Sequence, residues 1–497
     1  DLYGGIIGSQ LWAKTLQRTA GDTSPAKIGT PAFLMDPWNP IAGTNWVYDM
    51  MPIRGTADFG TVSDPYTGLY WPDRIERAEV VIQEGLPVFK TLGWVDLSFE
   101  PEIVVPGDAW AEWDAVEQRF FRVEELGYGE TVTALRKSTV YYPEDLYTTV
   151  KWHDGSPFSI ADVIMSMILT FDRGQYASPI YDESAASNYN SFMSGFKGVK
   201  IVSEDPLVIE TYSNYYNSEA ELSVTTWWPY YAQGQGSWHA VNLGIRSEAA
   251  GEAAFSSSKA DSTEVPWLDF ASGPTVALLK NQLDAWQLDK AIPYAPTLNN
   301  YIKTEELNTR LDNLGTWYNQ YSHFWIGTGP YFLASIDKTQ GELALERFTA
   351  HPDSDDRWAD FAAPPIPNIQ VSGPDTIELG GEAVYDIYVT QGEAAGTELL
   401  NPQVNEGRSG EPYPSQDIER VDFLLVGQNK VYLSGQAAYV AEGHYQVVVD
   451  RETVQMLPGG AINLEVVVVS KRIVLPSSSG VSIDNQNYFN FLPLTVK

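Results

Sequence analysis

A proline- and glycine-rich segment divides this chain into two parts of different character. The segment begins at Phe361 and has the sequence FAAPPIPNIQVSGPDTIELGGE. After it come short runs of alternating apolar and polar residues separated by turns, a pattern typical of strands with one buried face. We therefore place a domain boundary near Pro365 and predict an all-β sandwich over residues 365–475, followed by a C-terminal tail over 476–497.

The part before this boundary mixes helices and strands. Residues 1–150 are interpreted as loops and short strands, because no helical period is sustained there. A helix is predicted to begin at Ser159, which is followed three residues later by an acidic residue and then by an apolar face. A hairpin is expected to turn at 204–206, and helical patterns dominate 247–321. The fold class is therefore α+β, with its α/β part over 151–364.

Charge and composition exclude several kinds of partner. The 497-residue chain has a net charge of −34 and contains no cysteine. Nucleic acids and anionic lipid surfaces attract clustered Lys and Arg, so neither is an expected partner. The lack of thiols removes thiolate metal sites and disulfides. No apolar run approaches the roughly 20 residues of a membrane-spanning helix, so we expect no membrane span in this chain.

Two motifs have a clear structural interpretation. The first, VKWHDGSPFSIADVIMSMILTFDR, runs from Val150 to Arg173, and its Asp-Gly pair predicts a tight turn between a strand and a helix. The second, GTGPYFLASIDKTQGELALERF, runs from Gly327 to Phe348, and its glycines and proline predict a turn into a hairpin. Neither motif supplies a nucleophile, a base or a metal cage, so both indicate scaffold.

Together the two motifs resemble the peptide-binding class, family 5, of extracellular solute-binding proteins that serve ABC importers. The first is similar to the family pattern V-K-F-H-D-G-T-P, and the second to its G-T-G-P-Y hairpin. With DPYTGLYWPDRIERAEV, which is similar to a further family segment, the resemblance covers about residues 36–348. It implies a periplasmic-binding-protein-like lobe at the surface or in the periplasm of a prokaryote, which closes on a peptide and delivers it to an ABC permease.

The chain departs from the family pattern after the second motif. In the family a second large lobe follows, whereas here the chain continues into the strand-rich part, which we interpret as an added immunoglobulin-like domain. The chain also begins at Asp1, without Met or a signal peptide. We therefore expect a partial lobe, and a missing N-terminal segment or a second chain that completes the clamp.

An aromatic segment, TTWWPYYAQGQGSWH, is the first candidate for ligand contact. Its rings could stack on peptide side chains or sugar rings, since ligand pockets are commonly lined by aromatic residues. The alternative is that the rings fill an irregular core. The candidate residues in this segment are Trp227, Trp228, Tyr230, Tyr231 and Trp238.

A second candidate lies in NPIAGTNWVYDMM, where Trp46, Tyr48 and Asp49 are close in sequence. Asp49 could pair with the ammonium group of a ligand. Its alternative is a structural role, because Asp commonly accepts hydrogen bonds from nearby backbone groups.

Neither an enzyme nor a cofactor is expected. The five histidines lack metal-ligand spacing, and no nucleophile elbow, Walker loop or dinucleotide-binding fingerprint is present. The leading hypothesis is peptide capture. The alternatives are an oligosaccharide-binding protein of the same class, or a structural surface protein that assembles into a layer or filament.

Overall fold

The computed structural model describes residues 25–43, 46–64, 68–231, 234–354, 356–358, 361, 365–378, 380–391, 410–473 and 476–486. The chain divides into two compact units. The mixed unit comprises Ile28–Ser63 and Leu69–Asp353, and the β unit comprises Asp1–Lys27, Asp64–Gly68 and Ser354–Lys497.

The mixed unit contains both helices and strands. Its strands are β1 Thr61–Ser63, β2 Tyr70–Pro72, β3 Arg77–Gln83, β4 Val95–Glu100, β5 Ile103–Val104, β6 Trp110–Asp114, β7 Arg119–Arg122, β8 Thr133–Ala134, β9 Arg136–Tyr141, β10 Phe196–Glu204, β11 Leu207–Ser213, β12 Tyr230–Tyr231, β13 Gly234–Gln235, β14 Tyr331–Asp337 and β15 Glu342–Arg347. Its helices are α1 Val47–Gly55, α2 Leu146–Thr149, α3 Ile160–Asp172, α4 Glu183–Gly195, α5 Trp238–Ala249, α6 Ser257–Thr263, α7 Thr275–Asp289, α8 Ala295–Leu298 and α9 Thr304–Tyr321, with 3₁₀ turns at Val123–Glu125 and Ala220–Ser223.

A seven-stranded sheet organises this unit, in the order β4-β3-β9-β11-β10-β6-β7. The β3–β4 pair is parallel and the other neighbours are antiparallel. The sheet takes strands from both sides of residue 150, so the segments 1–150 and 151–364 contribute to one fold.

The elements expected from the two motifs and their surroundings are present. Helix α3 begins after Ser159 and buries nearly all of its residues. The predicted hairpin is β10–β11, in which Glu204 is paired with Leu207. The turn of the first motif has Gly155 at φ +89°, a left-handed conformation that favours glycine. Gly329 of the second motif lies so close to Ala57 N that a Cβ there would come within 2.4 Å.

Two helices, α1 and the short α2 at Leu146–Thr149, lie where the sequence predicted only loops and strands. Helix α1 spans Val47–Gly55 and contains Pro52. It has hardly any apolar periodicity, which is why the pattern did not indicate it. Tertiary contacts stabilise it instead, because buried Asp49 in its first turn accepts a hydrogen bond from Leu34 N–H at 3.0 Å.

The β unit consists mainly of two packed sheets. Its strands are β16 Pro367–Ser372, β17 Thr376–Ile377, β18 Ala383–Gln391, β19 Ile418–Gly427, β20 Lys430–Gln436, β21 Ala438–Ala441, β22 His444–Val449, β23 Gly460–Ser470 and β24 Ser477–Asn485, with a 3₁₀ turn at Ser415–Asp417 and helix α10 at Arg451–Met456. The four-stranded sheet has the order β16-β18-β22-β21, and the five-stranded sheet has the order β17-β24-β23-β19-β20.

Both sheets contribute to one apolar core, including Ile387 and Val447 from the first and Leu425 and Leu464 from the second. Their alternating burial is the expected sandwich pattern. Two details differ from the expectation: β17 and β24 are parallel, and β24 lies beyond residue 475, so part of the expected tail completes the second sheet. Among the described residues, no helix is long and apolar enough to cross a membrane.

Candidate functional site

The two motifs that carry the family resemblance meet at His153, which is buried. Its backbone N–H donates to Gly327 O at 2.9 Å, and its Nδ1 accepts from Gly327 N–H at 3.0 Å. Its Nε2–H donates to Gly329 O at 3.0 Å. Burial lowers the pKa of His153 to about 4, although the bond to Gly329 opposes this shift. At neutral pH an uncharged imidazole therefore joins the two motifs.

A second junction forms around Arg310 of α9, whose side chain is fully buried. Its terminal nitrogens donate to both carboxylate oxygens of Asp162, at 3.1 and 2.9 Å, and to Pro157 O at 2.7 Å. They also donate to the Ser159 hydroxyl, which in turn donates to Glu306 Oε1 at 2.9 Å. Ser159 therefore does more than begin helix α3 as predicted, because its hydroxyl also connects α3 to α9.

His239 extends this network. Its Nδ1 accepts from Arg310 at 3.0 Å, and its Nε2–H donates to Asp154 Oδ2 at 2.8 Å. Burial alone would raise the pKa of Asp154, but His239 and the Ser156 backbone N–H outweigh it and the pKa lies below its usual value. The side chains of Arg310, Asp162, His239 and Asp154 are completely buried, and Glu306 at the edge is 21% exposed, so the network mainly holds the first motif in place.

The predicted aromatic residues lie mostly in the core. Trp227 is buried and donates from Nε1 to Thr211 Oγ1 at 2.8 Å. Trp228 is buried and stacks on Phe158, with ring centroids 4.5 Å apart. Such contacts are the ones that the core-filling alternative predicts, and ligand contact by these rings would require the segment to move.

The other aromatic candidates of that segment are placed as follows. Trp238 opens helix α5, is completely buried, and lies under the guanidinium of Arg310 at 5.0 Å. Tyr230 and Tyr231 form the short strand β12, paired with β13, and their side chains are outside the described residues. The structure therefore brings no ligand surface together from Trp227, Trp228 and Trp238.

The candidates around Asp49 also have structural partners. Asp49 is buried, and besides Leu34 N–H its carboxylate accepts from Trp38 Nε1 at 3.2 Å. Burial raises its pKa, against the effect of these hydrogen bonds. Trp46 and Tyr48 pack edge to face, with ring centroids 5.8 Å apart, and Trp46 remains 36% exposed. This arrangement matches the structural alternative for Asp49 and leaves Trp46 accessible.

A cavity of about 460 Å³ lies elsewhere in the mixed unit. Strands β6 and β7 and the following 3₁₀ turn form one wall, and the residues in and after α8 form the other. Thr297 of α8 ties the walls together, because its hydroxyl donates to Gln118 O at 2.8 Å. The volume is within the range of small-molecule sites. Its lining residues are Trp110, Arg119, Phe120, Arg122, Glu124, Glu125, Pro296, Thr297, Asn300 and Tyr301.

The cavity combines aromatic rings with charges of both signs. Trp110 and Phe120 are stacked, with centroids 4.6 Å apart and planes 3° from parallel. Arg119 is held by Glu125 at 2.8 Å, and the Arg122 backbone N–H also donates to Glu125. These donors, the backbone N–H first, lower the pKa of Glu125. The second pair is looser, since Arg122 and Glu124 are 3.7 Å apart and more than half exposed.

Only an indirect signal for this cavity is present in the sequence. The run WAEWDAVEQRFFRVEE has aromatic residues and alternating charges on either side of a turn, which is compatible with any half-exposed hairpin. The opposite wall, around Thr297 and Tyr301, is nearly 180 residues away in sequence and cannot be linked to the hairpin by spacing. Among the described residues, no group of three or more His, Asp or Glu side chains could hold a metal ion.

Comparison with known proteins gives no family. No family model matches the chain, and no curated protein matches it significantly. One similar solved structure is the CARDB domain of a Pyrococcus furiosus protein in complex with di-metal ions, at 10% identity over 24% of this chain and 89% of that chain, with a TM-score of 0.15. Another is an engineered protein, at 7% identity over 50% of this chain and 45% of that chain, with a TM-score of 0.17. Both superpositions are too poor to bear on this chain's fold or function.

Proposed function

We propose that the mixed unit captures peptides outside the cell for delivery to an ABC importer. The observation that carries this proposal is the cavity between the β6–β7 hairpin and α8, where stacked aromatic rings lie beside guanidinium and carboxylate groups. A peptide has a carboxylate, an ammonium group and side chains of varied polarity. The lining therefore offers a complement to each chemical part of a peptide.

The looser charge pair is suited to ligand recognition. Arg122 and Glu124 are exposed enough to turn towards a ligand, whereas Arg119 and Glu125 are fixed by a short ion pair. In this proposal Arg122 binds the peptide carboxylate and Glu124 binds its ammonium group. The half-buried Trp110, backed by the buried Phe120, contacts an apolar side chain. Arg119 keeps the hairpin in shape.

The connection between the two motifs supports the family resemblance on which the transport role depends. His153 and Gly327 belong to different motifs and exchange two hydrogen bonds. Motifs that serve as scaffold are expected to hold each other in place in this way. In this proposal the mixed unit is a partial periplasmic-binding-protein-like lobe. The two packed sheets between residues 365 and 486, called the two-sheet part below, are an added immunoglobulin-like module.

A partial lobe is expected to bind weakly by itself. Two-lobed binding proteins bury most of a ligand by hinge closure, and a single wall of such a cleft cannot do so. We therefore expect a dissociation constant of about 1 mM for a tripeptide on this chain. Addition of the segment or chain that completes the clamp should lower this value.

Isothermal titration calorimetry with trialanine tests the proposal. Arg122→Gln should weaken binding at least about tenfold, because it removes a charge-assisted bond to the peptide carboxylate. Arg420→Gln is the matched control, since Arg420 also lies on a strand beside two acidic residues but belongs to the β unit. The control should bind trialanine as the wild type does.

Three outcomes would count against peptide capture at this cavity. The first is no heat of binding at millimolar trialanine. The second is equal weakening by Arg122→Gln and Arg420→Gln. The third is binding of a neutral oligosaccharide that is stronger than peptide binding and insensitive to Arg122→Gln, which would favour the sugar-binding alternative.

A further inference from the structure

Arg136, the first residue of β9, is a buried cation on an inner strand of the seven-stranded sheet. Only 7% of its surface is exposed. Its neighbours across the sheet are Ile82 on β3 and Ser213 on β11. Ile82 is completely buried, and so is Val80, the cross-strand neighbour of Ser138. The guanidinium therefore lies on a largely apolar face of the sheet.

The hydrogen bonds of Arg136 use only one side of its guanidinium. One terminal nitrogen donates to Ser223 O, and the other to Thr225 Oγ1 at 3.3 Å. Its Nε–H has no partner. Among the residues that the structure describes, no carboxylate forms an ion pair with it. Burial lowers its pKa to about 10, so it remains charged at neutral pH.

Two other buried polar atoms near this strand are also without partners. Ser138, two residues along β9 and on the same face as Arg136, has an unpartnered hydroxyl. Trp228, which stacks over Tyr142 just beyond the end of β9, has an unpartnered Nε1–H. Arg136 and Trp228 can only donate, and Ser138 can donate. These three groups can therefore all donate to a hydrogen-bond acceptor. Glu221, in the 3₁₀ turn that ends at Ser223, has one carboxylate oxygen that is also without a partner.

An uncompensated buried charge is costly, and native proteins usually pair it with a counterion. We propose that the Nε edge of Arg136 binds the carboxylate group of a ligand, with Ser138 as an additional donor. A planar carboxylate fits this edge because the guanidinium can present two parallel N–H groups to it. Nothing in the peptide-binding cavity takes part in this contact.

The segment Ser223–Trp228 covers the proposed site. It supplies the carbonyl and hydroxyl that hold the other side of Arg136, so a ligand enters only when this segment moves. Trp227 and Trp228 belong to it. The aromatic segment would then have a role in ligand binding as a cover over the carboxylate site, while its rings stay packed in the core.

Two sources supply such a group: a small free carboxylate, and the C-terminus of a peptide whose carboxylate binds here in place of Arg122. Only the second source rests on the proposed function. Thermal unfolding and tryptophan fluorescence with sodium acetate, at an ionic strength kept constant with sodium chloride, test the site itself. Acetate should raise the unfolding temperature of the wild type and change its fluorescence with a saturable dependence. Trialanine and its C-terminal amide then distinguish the sources.

Arg136→Met is the decisive variant. Its unfolding temperature without acetate should equal or exceed that of the wild type, because an apolar residue of similar volume replaces an unpaired charge. Its response to acetate should be absent. Ser138→Ala tests the same site without touching the charge and should weaken acetate binding by about threefold to tenfold, the factor of one hydrogen bond. Arg420→Met, in the β unit, should respond to acetate as the wild type does.

Each result decides the proposal. An acetate response that Arg136→Met abolishes supports it, and competition by trialanine but not by its amide identifies the peptide C-terminus as the source. No response to acetate or to trialanine, or a response that Arg136→Met retains, overturns it. Trialanine binding that depends on Arg122 and is unaffected by Arg136→Met would overturn this site and leave peptide capture in the cavity standing.

Discussion

The mixed unit buries charged side chains, whereas the described residues between 365 and 486 bury none. In the mixed unit, Arg74 pairs with Asp58 at 2.8 Å and with Asp353 at 2.7 Å, and all three side chains are at most 14% exposed. In the two-sheet part, the buried polar side chains are neutral ones such as Thr453 and Ser470. Among the described residues, the core of the mixed unit therefore contains charged side chains, whereas the core of the two sheets contains only neutral polar ones.

The difference follows from how the backbone N–H and C=O groups of each region find hydrogen-bond partners. Two packed sheets satisfy most backbone groups within their own ladders, so alternating apolar side chains are sufficient inside. The mixed unit has irregular segments whose N–H groups need other acceptors. Glu221, for example, is fully buried and accepts from the backbone N–H groups of Thr91 and Leu92. Buried carboxylates such as Glu221 therefore serve loops that have no ladder.

The largest effect of a single substitution is expected at Arg310. Arg310→Met leaves Asp162 as a buried carboxylate without its cation, and Glu306 loses its ion pair with Arg310 while it keeps the hydrogen bond from Ser159. We expect the free energy of unfolding of the mixed unit to fall by about 3–5 kcal/mol. Fourteen of the 16 tryptophans belong to the mixed unit, so urea denaturation followed by tryptophan fluorescence mainly measures this unit.

Arg420→Met provides the comparison in the other unit. Arg420 forms ion pairs with Glu419 and Asp422, but it is about 40% exposed, so its removal should change stability by less than about 1 kcal/mol. A loss for Arg420→Met as large as that for Arg310→Met would contradict the distinction between the two regions.

Acid should destabilise the mixed unit selectively. His153 and His323 are buried, and burial lowers the pKa of each to about 4. In the unfolded chain these histidines have a pKa near 6.5. As the pH falls from about 6.5 to about 4, they become protonated in the unfolded state but stay neutral in the folded state. Stability is therefore lost across this window, by about 3 kcal/mol per histidine. Denaturation curves at intervals of half a pH unit would measure it.

Substitution separates this effect from that of the carboxylates. The raised pKa values of Asp172 and Glu248 act in the opposite direction, because these groups take up protons in the folded state. His153→Asn keeps an acceptor near the position of Nδ1 and removes the titration. It should lower stability at pH 7 and reduce its dependence on pH between 6.5 and 5. An unchanged dependence would show that His153 is not responsible.

Much of the fold could be predicted from the sequence. The alternation after Pro365 indicated the two-sheet part because its single core is apolar and its strands are regular. Turn residues and apolar faces likewise indicated the hairpin β10–β11 and helices α3, α7 and α9. Helix α1 could not be predicted, because contacts of Asp49 with distant backbone stabilise it in place of a periodic apolar face.

The candidate site was less predictable for a physical reason. Aromatic residues near glycine and proline have the same pattern in a binding loop and in an irregular core, and burial alone distinguishes them. Trp227 and Trp228 proved to be buried. Tertiary packing alone brings Trp110 and Tyr301 to the same cavity. The charge of Arg136 is unpaired because the fold places no carboxylate of the described residues within ion-pair distance of it. Neither feature leaves a local sequence signal.

A similarly small effect is expected at the neutral polar groups of the two-sheet part. Tyr413 is buried, and its hydroxyl donates to Pro365 O at 2.9 Å and lies 2.8 Å from Ser470 Oγ. Tyr413→Phe removes hydrogen bonds between uncharged groups, so stability of this part should fall by only about 1 kcal/mol. Circular dichroism at a β-sheet wavelength should detect the change, while the tryptophan fluorescence transition stays unchanged.

Limited proteolysis sharpens the same prediction, because Pro365 lies at the predicted boundary. Cleavage between 362 and 367 should release the two-sheet part as a resistant fragment, since that part has a core of its own. Tyr413→Phe loses the anchor on Pro365 O, so its cleavage there should be several times faster, while the fragment remains resistant. Cleavage at the wild-type rate, or a fragment that is itself degraded, would show that the hydroxyl does not hold the boundary or that the two-sheet part depends on the rest of the chain.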